Sequence, residues 1–177
     1  MKKTWKIGTR GSKLALKQTE IVVEKLKEIY PHVECIIRVI RTTGDTVWDK
    51  PFQLIGGKGL FVKEIEDALL KNEIDMAVHS MKDMPSELEN ELVIGAVLER
   101  EDPRDVFIST SYKSIHDIKE DSCIGTGSSR RKSQLLFFKK NLKIVPMRGN
   151  VDTRIKKLNT QNLDGIVLAY AGIKRMG

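Results

Sequence analysis

The amino-acid sequence predicts an α/β protein built as two domains, and three observations carry that expectation. Strand-like and helix-like segments alternate along the chain. A charged run at 99–105 interrupts them, and the alternation then restarts. Of the 177 residues, 40% are hydrophobic, enough apolar material for one full core or two small ones.

The elements follow in order. A strand at 5–8 runs into Thr9-Arg10-Gly11-Ser12. A helix is expected over 13–29, with Leu14, Ile21, Val22, Leu26 and Ile29 near helical spacing. Tyr30-Pro31 stops it, because proline disfavours helical geometry in the residue before it. A second strand at 34–41 completes a strand–helix–strand unit, for which parallel pairing is expected. Residues 42–59 show no period and carry Gly44, Gly56 and Gly57 ahead of Gly59, as in a functional or moving loop. A helix at 60–71 should bury Phe61, Ile65, Ala68 and Leu69, and short strands follow at 74–79 and 92–98.

Glu99-Arg100-Glu101-Asp102-Pro103-Arg104-Asp105 reads as the crossover between a first domain, 1–98, and a second, 106–177. Beyond it, strands are expected at 106–109, 122–124, 143–145 and 165–169, with helices at 133–140 and 151–159. No internal repeat or low-complexity tract is obvious. The sequence stops at Lys174-Arg175-Met176-Gly177 as a further helix begins, so the second domain is expected to be incomplete.

Charge is unevenly distributed. Residues 125–177 hold 12 Lys or Arg against Asp152 and Asp164, whereas residues 1–124 hold 19 against 22 Asp or Glu. Such asymmetry fits an anionic partner or a solvated basic face. Nucleic acid is disfavoured: only Phe137, Phe138 and Tyr170 are aromatic in the basic third, and no RNA-binding motif surrounds them. No run of about 18 apolar residues suggests a membrane span. No apolar segment follows the basic Met1-Lys2-Lys3, so a signal peptide is not expected. Cys35 and Cys123 lack zinc-site spacing and read as half-buried strand thiols of a reduced, cytoplasmic protein. No metal site is expected, since His32, His79 and His116 are scattered.

Four strand ends run into loops rich in hydroxyl, glycine and basic residues. They are Thr9-Arg10-Gly11-Ser12, His79-Ser80-Met81-Lys82-Asp83, Gly125-Thr126-Gly127-Ser128-Ser129-Arg130-Arg131 and Met147-Arg148-Gly149-Asn150. Open parallel sheets bind ligands at the C-terminal ends of their strands. Helix N-termini there attract anions, and an arginine fork matches a carboxylate. The expected ligand carries several carboxylates or phosphates and sits in a cleft between the domains. Gly125-x-Gly127-x-x-Arg130 lacks the third glycine and the later acid of a dinucleotide site. Asp83 reads either as a helix cap or surface ion pair, or as a cleft carboxylate that stabilises a developing cation or moves a proton. His79 reads as a satisfied strand-end histidine.

The motifs Thr9-Arg10-Gly11-Ser12-Lys13-Leu14-Ala15-Leu16, Gly56-Gly57-Lys58-Gly59-Leu60-Phe61-Val62-Lys63-Glu64 and Ala77-Val78-His79-Ser80-Met81-Lys82-Asp83 resemble those of the porphobilinogen deaminase (hydroxymethylbilane synthase) family. So do the charged crossover, Arg148-Gly149-Asn150-Val151-Asp152-Thr153-Arg154 and Ala171-Gly172-Ile173-Lys174-Arg175. The resemblance covers essentially the whole sequence, as an N-terminal portion lacking the family's third domain. It implies two periplasmic-binding-protein-like domains with a cleft between them, 42–59 forming a lid. It implies stepwise condensation of four porphobilinogen molecules into hydroxymethylbilane with release of ammonia, in tetrapyrrole (heme) biosynthesis. Porphobilinogen and polypyrrole intermediates are the implied partners, dipyrromethane the cofactor, and a monomer the usual state.

By the same resemblance Asp83 matches the catalytic aspartate, with Lys82 and Arg10 beside it in the chemistry. Ser12, Lys58, Ser80, Thr126, Ser128, Arg130, Arg131, Arg148, Asn150, Arg154 and Arg175 match substrate- or cofactor-binding positions. The family's usual Gly-Thr-Ser-Ser-Leu-Arg-Arg has Gly127 and Ser129 in place of its first serine and its leucine here, so a polar and an apolar contact are expected to be lost. The cofactor-tethering cysteine belongs to the third domain, and neither Cys35 nor Cys123 lies in a matching motif. The isolated chain is therefore expected to be an inactive fragment. The alternative is a stand-alone polyanion-binding module without turnover.

Overall fold

The computed structural model describes residues 3–46 and 59–177. Most of the expected lid, and Lys58 with it, lies outside the described residues. The chain forms two compact units, Met1–Leu98 and Glu99–Gly177.

Unit 1 is built on a three-stranded parallel sheet in the order β2-β1-β3, comprising β1 (Thr4–Thr9), β2 (Glu34–Val39) and β3 (Met76–Ala77). Strand β1 pairs along its full length with β2, from Thr4↔Glu34 to Thr9↔Val39, and β3 adds Ile7↔Met76 and Gly8↔Ala77. Helix α1 (Lys13–Ile29) crosses from β1 to β2. It starts where the Ser12 side chain accepts a hydrogen bond from the Ala15 N–H at 3.2 Å, and ends where the Tyr30 N–H reaches Leu26 O ahead of Pro31. Helix α3 (Lys63–Leu70) packs Ile65 and Ala68 against Ile74, with Ile40, Leu69 and Ala77 around them. Gly8 admits this packing, because a Cβ there would stand 2.3 Å from the Ile74 methyl.

Three expectations for unit 1 need correction. The stretch read as aperiodic from residue 42 contains a helical turn, α2 (Thr43–Thr46), tied down by Gly44 N–H to Leu60 O and Thr43 N–H to the Glu64 carboxylate, each at 2.8 Å. The helix expected from residue 60 begins at Lys63, after turns at 59–62. Residues 92–98 form no strand; Val93 and Val97 are 85% and 68% exposed. Their β-branched content favours extension, but a strand needs a neighbour.

Unit 2 holds a four-stranded sheet in the order β4-β7-β5-β6: β4 (Asp105–Ile108), β5 (Cys123–Thr126), β6 (Lys143–Pro146) and β7 (Gly165–Ala169). Strand β5 runs parallel to β6 and β7, while β4 closes the edge antiparallel to β7. Helices α4 (Ser129–Phe138) and α5 (Val151–Thr160) make the crossovers, and α6 (Tyr170–Met176) follows β7. Val167 joins Ile118, Ile124, Leu135 and Leu142 on one side of the sheet. Ile166 and Leu168 join Met147, Leu158 and Leu163 on the other. Burial on both faces explains the unbroken apolar run of β7. The helix expected from residue 133 starts four residues earlier, since Ser128 is its cap and the serine–arginine run is its first turn.

The two units repeat one topology. In each, the first parallel strand, β1 or β5, is central and the next two parallel strands flank it on opposite sides, with β4 added at the edge of unit 2. The repeat reaches the sequence: Ile7-Gly8-Thr9 and Ile124-Gly125-Thr126 both end on a buried threonine, and Gly11-Ser12 and Gly127-Ser128 then lead into a helix. One residue fewer in the second copy disguises the match.

Candidate functional site

A central strand flanked on both sides creates the switch point at which α/β sheets bind ligands. In unit 1 that point gathers the loops after β1 and β3. Arg10, the first residue after β1, directs its Nε at both oxygens of Asp45, 3.2 and 3.3 Å away, and a short contact from Nη2 completes the fork. Its Nη1 lies 3.8 Å from Asp83 Oδ2, and the Phe61 ring lies 4.2 Å from Cζ. Asp45 is also held by the Thr42 hydroxyl at 2.9 Å. Burial pushes the Asp45 carboxyl up, but the hydrogen bonds and charge of Arg10, with Thr42, hold it below its ordinary value.

Asp83 closes a single 3₁₀ turn, Met81–Asp83, whose backbone returns to Ser80 O at 2.9 Å. Ser80 Oγ donates to Gln18 on α1 at 3.0 Å. His79 is held below its ordinary value by burial, with Asp83 opposing and Arg10 reinforcing the shift. Lys82 is exposed.

In unit 2 the loop after β5 caps α4, where the Ser128 hydroxyl accepts the Arg131 N–H. Arg130 and Arg131 converge on one carboxylate, their Nη2 atoms lying 2.8 Å from Asp105 Oδ2 and 2.7 Å from Oδ1. Arg131 is 13% exposed and its Nε is buried without a hydrogen-bond partner among the described residues. Arg154, on the first turn of α5, donates from Nε to Gly149 O at 2.7 Å. Burial, then the nearby Arg131 charge, lowers its pKa. Asn150 precedes α5 as its cap residue, and Lys157 donates to Arg148 O at 3.0 Å. Neither α1 nor α4 has an acid in its first turn, so the positive ends of both dipoles are uncompensated from within.

The structure thus brings Arg10, Ser12, Ser80 and Asp83 to one sheet end, and Thr126, Ser128, Arg130, Arg131, Arg148, Asn150 and Arg154 to another, in the other unit. Arg175 lies on α6, where its charge reaches Glu101. Gly127 has a reason of its own: a Cβ would stand 2.3 Å from the Met147 carbonyl oxygen. Ser129 is exposed on the first turn of α4, so no buried apolar contact is missing there. Sequence reasoning missed Asp45 and Asp105, which bind these arginines from 35 and 25 or 26 residues away. Neither carries a local signal, since Asp105 closes a run that already holds Glu99, Glu101 and Asp102, and Asp45 lies among threonines and glycine.

Comparison with known proteins decides the lineage. Residues 5–177 match the family model described as porphobilinogen deaminase, dipyrromethane cofactor binding domain. The chain belongs to the porphobilinogen deaminase family. It is 53% identical over 172 residues to porphobilinogen deaminase of Rickettsia akari, covering 97% of this chain and 57% of the relative. To porphobilinogen deaminase of Bacillus subtilis strain 168 it is 54% identical over 177 residues, covering 100% and 56%. The chain spans about half the length of the curated relatives it matches. Among solved structures, the methionine binding protein MetQ superposes with a TM-score of 0.54 at 15% identity, covering 99% of this chain and 74% of that one. That likeness establishes a periplasmic-binding-protein-like fold. No helix among the described residues is long and apolar enough to cross a membrane.

Proposed function

We propose that this chain supplies the catalytic carboxylate and carboxylate-binding groups of a porphobilinogen deaminase, which condenses four porphobilinogen molecules into hydroxymethylbilane. The observation that carries this reading is the pairing of Arg10 with both Asp45 and Asp83 at one sheet end. One guanidinium and two carboxylates leave that cluster with a formal charge of −1. Such a site favours a developing cation.

Loss of ammonia creates one. The aminomethyl C–N bond breaks with its electron pair leaving on nitrogen, and the positive charge stays on the pyrrole-methylene. A free pyrrole carbon then attacks the methylene, a C–C bond forms, and the attacking ring carbon gives up its proton. Asp83 stabilises the cation and accepts pyrrole N–H groups, and Arg10 is the guanidinium that holds a carboxylate beside it. Lys82 and Lys58 are assigned to the same chemistry by motif.

Unit 2 has the opposite balance. Arg130, Arg131 and Arg154 with Asp105 sum to +2, and Thr126, Ser128 and Asn150 add neutral polar groups near the same strand ends. This donor set fits a polycarboxylate such as dipyrromethane, whose acetates and propionates would be held by Arg130, Arg131, Arg148, Arg154 and Arg175. When bound, that group supplies the pyrrole terminus from which the product grows. We place the reaction in the cytoplasm, where Cys35 and Cys123 stay reduced.

The test is porphobilinogen binding by calorimetry and consumption by colorimetry, with Arg10→Ala and Asp83→Ala beside the parent chain. Binding that Arg10→Ala weakens about tenfold, the effect of losing one charged hydrogen-bonded contact, supports the reading. No binding by the parent would sink it. The net positive cluster of unit 2 also favours a second reading, a polyanion binder without turnover. Consumption that Asp83→Ala abolishes would remove it.

A further inference from the structure

Two adjacent arginines in the first turn of a helix are a poor arrangement. They repel one another and face the positive end of the helix dipole. Helix α4 has no acid of its own there. Asp105 brings the missing negative charge from another element, and it does so from a fixed point. It is the first residue of β4, paired with Ala169 of β7. The preceding Arg104 carbonyl accepts the Tyr170 N–H at 2.9 Å.

Its two oxygens are divided, one to each Nη2. The remaining contacts are divided too. Arg131 is 13% exposed and its Nη1 points to Val167 O at 3.4 Å, whereas Arg130 is 58% exposed and reaches Gln134 at 3.0 Å. Asp105 therefore ties an outward guanidinium to an inward one.

We propose that Asp105 is a positioning residue: it fixes the Arg130 and Arg131 forks in the orientation in which they receive a ligand carboxylate. A carboxylate near a cationic site could instead be a competitor that the ligand displaces. The strand pairing argues against this, because it holds the Asp105 backbone in place and leaves only the side chain free to turn. The two roles make opposite predictions. Deleting a competing negative charge tightens an anionic ligand, since the site gains a unit of positive charge. Deleting a positioning group loosens it, because the freed forks lose rotational freedom again on binding.

The inference rests on the reading of Arg130 and Arg131 as carboxylate-binding groups, so Arg130→Ala is the control for that reading. The experiment measures the affinity for a dipyrromethane bearing acetate and propionate side chains by calorimetry, with side-chain ¹⁵N relaxation at Arg Nε, in the parent, Asp105→Asn, Asp105→Glu and Arg130→Ala. The expected result is about tenfold weaker binding for Asp105→Asn despite the more positive site, with increased motion at both Nε positions. Asp105→Glu, which keeps the charge but displaces it by one methylene, should also bind more weakly. Should Asp105→Asn fail to fold, Asp105→Glu decides the matter alone. Tighter or unchanged binding, or arginine forks as rigid as in the parent, would overturn the proposal. If Arg130→Ala alone leaves affinity unchanged, the underlying carboxylate reading fails instead. The relaxation measurement needs no ligand and still reports on Asp105.

Discussion

In unit 1 a single arginine at the end of the central strand, Arg10, is shared by Asp45 and Asp83, whereas in unit 2 two adjacent arginines, Arg130 and Arg131, share Asp105. The scaffolds are otherwise alike. Each has a central parallel strand ending in Ile-Gly-Thr, a buried threonine, and a serine that caps the next helix. What differs is the count of charges at the switch point. On the function proposed above, the formal −1 of unit 1 suits a cation and the formal +2 of unit 2 suits carboxylates, so one topology would serve two electrostatic tasks. Fold specifies where a site lies, and the site's own side chains specify what it does.

The largest expected stability difference between the copies lies at their pre-cap glycines. Alanine at Gly127 places a methyl 2.3 Å from the Met147 backbone oxygen, which no rotamer change can relieve. Gly127→Ala should cost about 2 kcal/mol, typical of overpacking. Gly11→Ala meets only the Val39 methyl at 3.2 Å, on a side chain 54% exposed and free to turn. It should cost less than about 0.5 kcal/mol. Urea unfolding of both variants checks this, and equal losses would break the comparison.

Next are the carboxylates that hold the arginines. Asp45 and Asp105 side chains are each 22% exposed, and replacing either by Asn should cost about 1.5 kcal/mol at pH 7, as for hydrogen bonds to charged groups. In both, burial raises the carboxyl, but the arginine contacts prevail and leave it below the ordinary 3.8. A depressed folded pKa gives stability that is present above the unfolded value and is lost as pH falls through the folded one. The gap between parent and variant should therefore hold above about pH 4 and close below it, as thermal melts across pH 2 to 6 would read. A gap that persists in strong acid would mean that shape, not charge, holds these forks.

The helix caps should behave alike. Ser12→Ala and Ser128→Ala each remove a side-chain acceptor from a helix N-terminus, at 3.2 Å to Ala15 N and 3.4 Å to Arg131 N. Each should cost about 1 kcal/mol in denaturant unfolding. A marked inequality would show that one serine does more than cap.

How far the sequence discloses this arrangement depends on the range of the interactions involved. Helix α1 was legible at both ends because its start and stop signals, Ser12 and Tyr30-Pro31, are local. Strand β7 was legible because burial on two faces leaves a continuous apolar run. Residues 92–98 carry the composition of a strand, but strand formation depends on a partner that composition does not name. The start of α4 was obscured because its first turn, Ser129-Arg130-Arg131, is polar and the apolar period begins only near Leu135. Arg10, Arg130 and Arg131 stood out by residue type and motif. Asp45 and Asp105 did not, since what marks them is proximity across 35 and 25 residues. The repeat at Ile-Gly-Thr was hidden by a single missing residue and became visible only when the strand orders were compared.

The smallest expected effect concerns a group that only unit 1 possesses. His79 follows β3, and no histidine occurs in the sequence after His116, so the strand ends from β5 onward have no counterpart. Burial lowers its pKa below the ordinary 6.5, Asp83 pulls it back up, and Arg10 pushes it down again. The unfolded chain therefore binds the proton more readily than the folded one. Stability should rise with pH across the interval from the lowered folded value up to about 6.5, and fall as pH drops through that interval. His79→Gln should flatten that part of the profile while leaving the acid limb set by Asp45 and Asp105. Asp83→Asn should steepen it, because the neutral amide no longer favours the imidazolium. Melts of the three proteins between pH 4.5 and 7.5 would show this, and a profile that His79→Gln leaves unchanged would place the titrating group elsewhere.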